Sequence, residues 1–369
     1  MAKTVLRGNA SIVGGLGLAA VLALMAPAAQ EIRGVAAPKA PLPAAAPKPP
    51  LPAQQAVIDA LAPLVINHTV VCDDNGNVIK FAVSNHTAFI KDKSKPVPSG
   101  IDDAAFARIL ELPHLQAIAL EMQPLSNEGY ARIGKLKQLR DVRLHYIGKN
   151  PPKNGTVDKD APLFINDLPL PLEVLEIKHC FAIKGGCMDK LKPQPELKKL
   201  EIDTGYATSD AVGFIKNSPK IENLQIHRTT MTDRDLQDIF AALPNLKVLL
   251  LRPTAQGQNK DNRITGKSLR GLAKCPELRL LILGIQWGEM PFEGGLDALV
   301  GLRKLKTLDL AISDIKDFSI QDPAIQKLHQ TRPDILIKVG DKTLGGAEGQ
   351  QREKEDAEWN WDNGVTTHG

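Results

Sequence analysis

Aromatic residues are scarce in this chain of 369 residues, with 3 Trp, 3 Tyr and 9 Phe making up 4% of it. A core built around rings is therefore not expected, and Leu, Ile and Val must supply the buried volume. Only 4 cysteines occur and none precedes Cys72, which excludes a lipid-modified N-terminal cysteine. Neither sign of charge dominates, since 46 basic residues face 42 acidic ones for a formal +4. A nucleic-acid binder concentrates a larger surplus on one face, so nucleic acid is not an expected partner. The one extended apolar run, from Ile12 to Met25, is shorter than the ~20 residues of a membrane-spanning helix.

Catalytic vocabulary is missing as well. There is no Ser-His-Asp or Cys-His arrangement with supporting context, no H-E-x-x-H and no paired-carboxylate cleft. The chain reads as a non-enzyme without a cofactor. Gly266-Lys267-Ser268 invites a phosphate-loop reading, but Asp261 stands where the first glycine of that loop is required. No nucleotide site is expected there, and the three residues align with helix starts elsewhere in the chain. Asp73-x-Asn75-x-Asn77 offers the first oxygens of a calcium loop, yet Gly76 falls at the fourth position and no Glu completes the site. A hairpin turn is the expectation.

What is present is a period. The pattern L-x-x-L-x-L returns as Leu115-Ile118-Leu120, Leu139-Val142-Leu144, Leu172-Leu175-Ile177 and Leu197-Leu200-Ile202. It continues as Ile221-Leu224-Ile226, Leu246-Leu249-Leu251, Leu278-Leu281-Leu283 and Leu305-Leu308-Leu310. The last two apolar residues of each copy lie at i and i+2, the spacing of one strand face. Helical spacing occurs between copies, best seen as Leu236, Ile239, Phe240 and Leu243 behind Thr232-Asp-Arg-Asp235, a helix cap with acidic first turn. Ser126 and Thr265 stand in equivalent places. Units too small to bury their own apolar faces must stack, strands beside strands and helices beside helices.

These residues resemble the leucine-rich repeat family, whose consensus is L-x-x-L-x-L-x-x-N/C-x-L, over roughly residues 66 to 340. The resemblance implies an α/β solenoid, with a curved parallel sheet on the concave side and short helices on the convex side. The alternation looks most like the helix-bearing, ribonuclease-inhibitor-like branch. The ninth position holds Gln123, Ile147, Cys180, Gly205, Thr229, Thr254, Gln286 and Ser313, so the family's ladder of buried Asn side chains is largely absent. A loose first copy at Val78, Phe81 and Val83, preceded by a hairpin, reads as the N-terminal cap, and Ile335, Ile337 and Val339 read as a closing strand.

In this register, positions 3, 5, 7 and 8 point to solvent from the concave face. They supply Asp141, Arg143, His145 and Tyr146, then Glu176, Lys178 and His179, then Lys199, Glu201 and Asp203, then Gln225, His227 and Arg228, with Arg252 on the next unit. His145 and His227 lie three strand steps apart, about 14 Å, too far to share a metal ion. A mixed-charge recognition surface is expected, with no metal. Insertions at 146–166 and 253–263 come after strands, where repeat proteins carry binding loops. Val248, Leu250, Leu280 and Ile282 turn the neighbouring concave positions apolar, and Trp287, Met290 and Phe292 come next in a loop. Trp287 is either an interface anchor or part of a cover over that patch.

The expected partner is an unidentified protein bound by the concave face and inserted loops. The alternative is a glycan or cell-wall component of the envelope, disfavoured because only Tyr146 and Trp287 offer exposed rings. Lys3 and Arg7, the apolar run and Ala26-Pro27-Ala28 have the order of a secretory signal, giving 1–28 as a signal peptide and an exported protein: periplasmic, cell-surface or extracellular. Membrane contact is expected only if that segment is uncleaved. An Ala/Pro-rich linker is expected over 29–56. The repeat domain then spans 57–340, with 57–110 as cap and first loose repeat, and a disordered tail covers 341–369. Cys180 and Cys187 flank one turn and form either a disulfide or two buried thiols, whereas Cys72 and Cys275, roughly 33 Å apart by strand counting, cannot bridge.

Overall fold

A computed structural model of the chain describes residues 48–87, 96–180, 182–183, 187–203, 209–253, 266–285, 295–312 and 319–346. The signal segment, residues 29–47 of the linker and residues 347–369 of the tail lie outside the described residues. One sheet of twelve strands runs in sequence order. β1 (Asn67–Cys72) and β2 (Val78–Ser84) form an antiparallel hairpin. Its turn is held by the Asp73 carboxylate, which accepts from the backbone of Asn75 and Asn77, each at 2.9 Å. The parallel strands are β3 (Ala117–Glu121), β4 (Asp141–His145), β5 (Val174–Lys178), β6 (Lys199–Asp203), β7 (Asn223–Thr229) and β8 (Val248–Pro253). β9 (Leu280–Ile285), β10 (Thr307–Ile312) and β11 (Leu336–Val339) complete the parallel run, and β12 (Lys342–Leu344) returns antiparallel to β11.

The triplets meet in register. Leu144 pairs with Ile177 and Ile177 with Ile202, while Leu251, Leu283, Leu310 and Val339 continue the same row. All of these are buried. Each such side chain contributes about 1.5–3 kcal/mol by leaving water, and none could do so without the coils on either side. The chain is a leucine-rich repeat solenoid. Just before each strand a second row locks the coils together: the second-position N–H donates to the second-position carbonyl of the preceding coil. It runs from Gln116 through Arg140, Glu173, Lys198, Glu222, Lys247, Arg279 and Lys306 to Leu336 at 2.7–2.8 Å.

The opposite layer is α-helical in some coils and a 3₁₀ turn in others. α1 (Pro52–Leu61) and α2 (Asp103–Ile109) precede α3 (Asn127–Ala131), which Ser126 caps by accepting from the Gly129 N–H. α4 (Ala211–Lys216) leads to α5 (Asp233–Ala242), where Thr232 and Asp235 form a reciprocal capping box and Leu236, Ile239 and Phe240 are buried. α6 (Gly266–Gly271) and α7 (Pro323–Thr331) come after it. Ala161–Asp167, Met188–Lys190 and Leu296–Gly301 take the tighter 3₁₀ form. Ser268, fully buried, donates to Asp233, so Gly266-Lys267-Ser268 serves to dock α6 on α5. Thr265 lies outside the described residues.

Two boundaries differ from expectation. The repeat domain begins inside the segment assigned to the linker: Pro52 occupies the first turn of α1, and buried Gln54 accepts from the Val78 N–H at 2.6 Å. A Pro- and Ala-rich stretch thus hides a helix that seals the first coil. The domain ends later than residue 340, because β12 adds a strand from residues assigned to the tail. Of the two readings open for Cys180 and Cys187, the structure holds separate buried thiols, and Cys72 and Cys275 are thiols as well. Burial pushes the Cys180 and Cys187 thiols each up to about 12, which makes them inert.

Candidate functional site

Strand alternation puts Asp141, Arg143 and His145 of β4 on the face away from the helices, in line with Glu176 and Lys178 of β5, Lys199, Glu201 and Asp203 of β6, and Gln225 and His227 of β7. The expectation that these groups stand free in solvent fails for five of them, while Asp141, His145, Lys178, Gln225 and His227 are half-buried. Glu176 is 3% exposed, Asp203 4%, Glu201 5%, Lys199 7% and Arg143 9%. Neighbouring strands lie only ~4.8 Å apart, so long side chains in adjacent columns cover one another.

Burial at that level requires pairing. Arg143 reaches Asp141 at 3.0 Å and Glu176 at 3.4 Å; Lys199 donates to Glu176 at 2.6 Å and stands 3.8 Å from Glu201. Lys178 meets Glu201 at 3.2 Å. Each of three histidines faces a buried carboxylate: His145 on Glu176 at 3.3 Å, His227 on Glu201 at 3.3 Å and His179 on Asp203 at 3.0 Å. Burial alone would raise the Glu176 carboxyl, but His145, Arg143 and Lys199 outweigh it and hold the group well below the ordinary carboxylate range. Glu201 is lowered in the same way, burial being outweighed by His227 and Lys178. Among the described residues no three His, Cys, Asp or Glu side chains converge to hold a metal ion.

Where β3, β4 and β5 end, the chain does something the repeat pattern does not announce. Met122, Tyr146 and His179, each at the eighth position, adopt left-handed backbone with φ of 57°, 59° and 51°. Non-glycine residues are held there at a cost of about 1–3 kcal/mol each. The turn stacks Tyr146 on His179 with ring centroids 4.7 Å apart, sets His86 edge-on to Tyr146 at 5.5 Å and places the Lys149 ammonium 4.8 Å from the Tyr146 ring. His179 retains 40% side-chain exposure. Inserted residues close one side, with Asn150 donating to the Met122 carbonyl at 3.0 Å. Neither His86 nor Lys149 is among the residues expected from the sequence. Extending the loose first copy from Val78 to its ninth position finds His86; nothing in the spacing marks Lys149.

The ninth position keeps its structural task without asparagine. Gln123 accepts from the Ile101 N–H at 2.8 Å and Thr229 from the Met231 N–H at 3.0 Å, both side chains being buried. Further along, Val248, Leu250, Leu280 and Ile282 make a second apolar cluster, 2–9% exposed, on the face opposite the main core. Arg252 is exposed and lies across Gly284, where an added β-carbon would meet its Cγ at 2.7 Å. The Arg228 side chain, Trp287, Met290, Phe292 and most of the second insertion lie outside the described residues.

No protein-family model matches the chain, and no curated protein sequence does. Among solved structures, a protein from Bacteroides fragilis is 17% identical over 73% of this chain and 77% of its own, with a TM-score of 0.40. The TLR13–ssRNA13 complex is 17% identical over 57% of this chain, with a TM-score of 0.35; this chain spans 34% of the length of that one. The leucine-rich repeat character of this chain rests on its own strand register, not on these likenesses.

Proposed function

We propose that this is a non-catalytic, exported leucine-rich repeat protein of the helix-bearing kind that binds a protein partner on its concave side. One observation carries the reading: three successive coils hold Met122, Tyr146 and His179 in left-handed backbone, and the rings of His86, Tyr146 and His179 contact one another beside the first insertion. Strain maintained at one edge over adjacent coils supports a role in recognition. The fixed spacing of Lys178, His179 and His227, each held by a buried carboxylate, means that little ordering entropy is lost on contact. The glycan alternative needs an open ring face, and Tyr146 is engaged by His179 and Lys149. Export rests on the order of charged, apolar and small residues in segment 1–28.

Immobilised chain and a Tyr146→Ala/His179→Ala variant, each incubated with an envelope fraction and separately with purified cell-wall polysaccharide, test the proposal. A protein retained by the native chain and lost from the variant is expected, with no polysaccharide retention. Retention of polysaccharide that depends on Tyr146 would overturn it.

A further inference from the structure

The second-position row runs along one end of the parallel strands and carries alternating charge for its first half: Arg140, Glu173, Lys198, Glu222, Lys247. Glu173 sits 3.4 Å from Arg140 and 2.8 Å from Lys198, and Glu222 sits 2.7 Å from Lys247. Alternation then stops. The next two residues are Arg279 and Lys306, both exposed, so three cations succeed one another at ~4.8 Å per step. Glu277 pairs with Lys304 at 2.6 Å and Asp334 with Arg332 at 2.8 Å, and these same carboxylates are the ones that feel Arg279 and Lys306, so the cations at this edge outnumber the acidic groups beside them. Among the described residues neither Arg279 nor Lys306 makes an ion pair. Like charges this close are unfavourable unless an anion lies across them.

The described residues end at that same end of the strands. β12 runs antiparallel to β11, so it carries the backbone back past the start of β11, where the Gly346 N–H donates to the Pro333 carbonyl at 3.3 Å and the Leu336 N–H donates to the Lys306 carbonyl at 2.8 Å. The segment beyond β12 is acidic: residues 347–369 hold Glu348, Glu353, Glu355, Asp356, Glu358 and Asp362 against Arg352 and Lys354, six minus two, or −4. Glu353 lies seven residue steps beyond Gly346, which at ~3.3 Å each span up to about 23 Å. Lys306 is one strand step from β11 and Arg279 two, or about 5 and 10 Å. Tethering at this range raises the local concentration of carboxylate to the millimolar scale.

We infer that the cationic edge formed by Lys247, Arg279 and Lys306 is a docking surface for an acidic polypeptide segment, occupied in cis by Glu353–Glu358 of the same chain. An acidic stretch of a partner must displace it to bind there. The test compares the full chain with a full-length variant whose tail is neutral (Glu353→Gln, Glu355→Gln, Asp356→Asn, Glu358→Gln). In dilute native protein, a water-soluble carbodiimide should join a tail carboxylate to the Lys306 amine as an amide, with loss of water to the reagent. Mass spectrometry should find that peptide pair in monomers, and 1 M salt should suppress it. A decaglutamate peptide should bind the neutral-tail variant at least tenfold more tightly than the native chain, and Arg279→Gln/Lys306→Gln in that variant should abolish the gain. Absence of the tail–Lys306 amide, its appearance in dimers alone, or equal peptide affinity for both chains would overturn the inference.

Discussion

The concave columns of β4–β7 and those of β8–β9 occupy one continuous register yet are filled with opposite chemistry. The fifth-position column reads Arg143, Glu176, Glu201, Gln225 and then Leu250, Ile282. Burial is alike in the two halves, with Glu176 at 3% and Leu250 at 4%, although Gln225 between them is half-buried. Repeat spacing therefore sets how deeply a concave side chain is covered, and its chemistry sets what it then requires. Aliphatic groups need only contact, whereas carboxylates and ammonium groups need one another.

Breaking the charged half should have the larger effect. Lys199→Met leaves Glu176 and Glu201 short of a buried partner and is expected to cost about 3–5 kcal/mol in urea unfolding. The double variant Glu176→Met/Lys199→Met should recover much of that loss, and simple additivity of the two single effects would refute the pairing account. In the aliphatic half, Leu250→Ala is expected to cost about 2–4 kcal/mol, a cavity effect independent of pH. The halves should also separate in acid. Glu176 and Glu201 have folded-state values below their unfolded ones, so their stabilisation is complete above roughly pH 4.5 and is lost as pH falls further. Glu176→Gln/Glu201→Gln should flatten the acid limb of stability against pH, while Leu250→Ala keeps the native slope. The smallest effect belongs to the exposed ladder: Glu173→Gln removes contacts to Arg140 and Lys198 but should cost only about 0.2–1 kcal/mol, diminishing with salt.

The apolar period is enough to place every strand from β3 to β10, because stacking permits only one register for side chains that must all face the core. Thr232 and Ser126 are readable as caps for the same local reason. The residues of that face are correctly expected as neighbours, but Arg143, Glu176, Lys199, Glu201 and Asp203 wrongly as solvated, since alternation tells which way a side chain points and not how far its neighbours reach over it. α1 escapes notice because Pro52 and the alanines around it suit a linker as well as a first helical turn. β12 is invisible because three residues in a Gly- and Lys-rich stretch carry no period. Left-handed backbone at Met122, Tyr146 and His179 leaves no mark where glycine or asparagine is absent.

Stacking of successive coils in register underlies every pairing described above, and pulsed electron resonance between nitroxide labels measures it directly. Labels introduced at the exposed positions Gln116 and Lys198, three strand steps apart, should lie about 14 Å apart at the backbone; labels at Gln116 and Arg279, six steps apart, should lie near 29 Å. A separation that grows in proportion to the number of strands is the expected result. Equal distances for the two pairs, or a shorter one for the more distant pair, would contradict it.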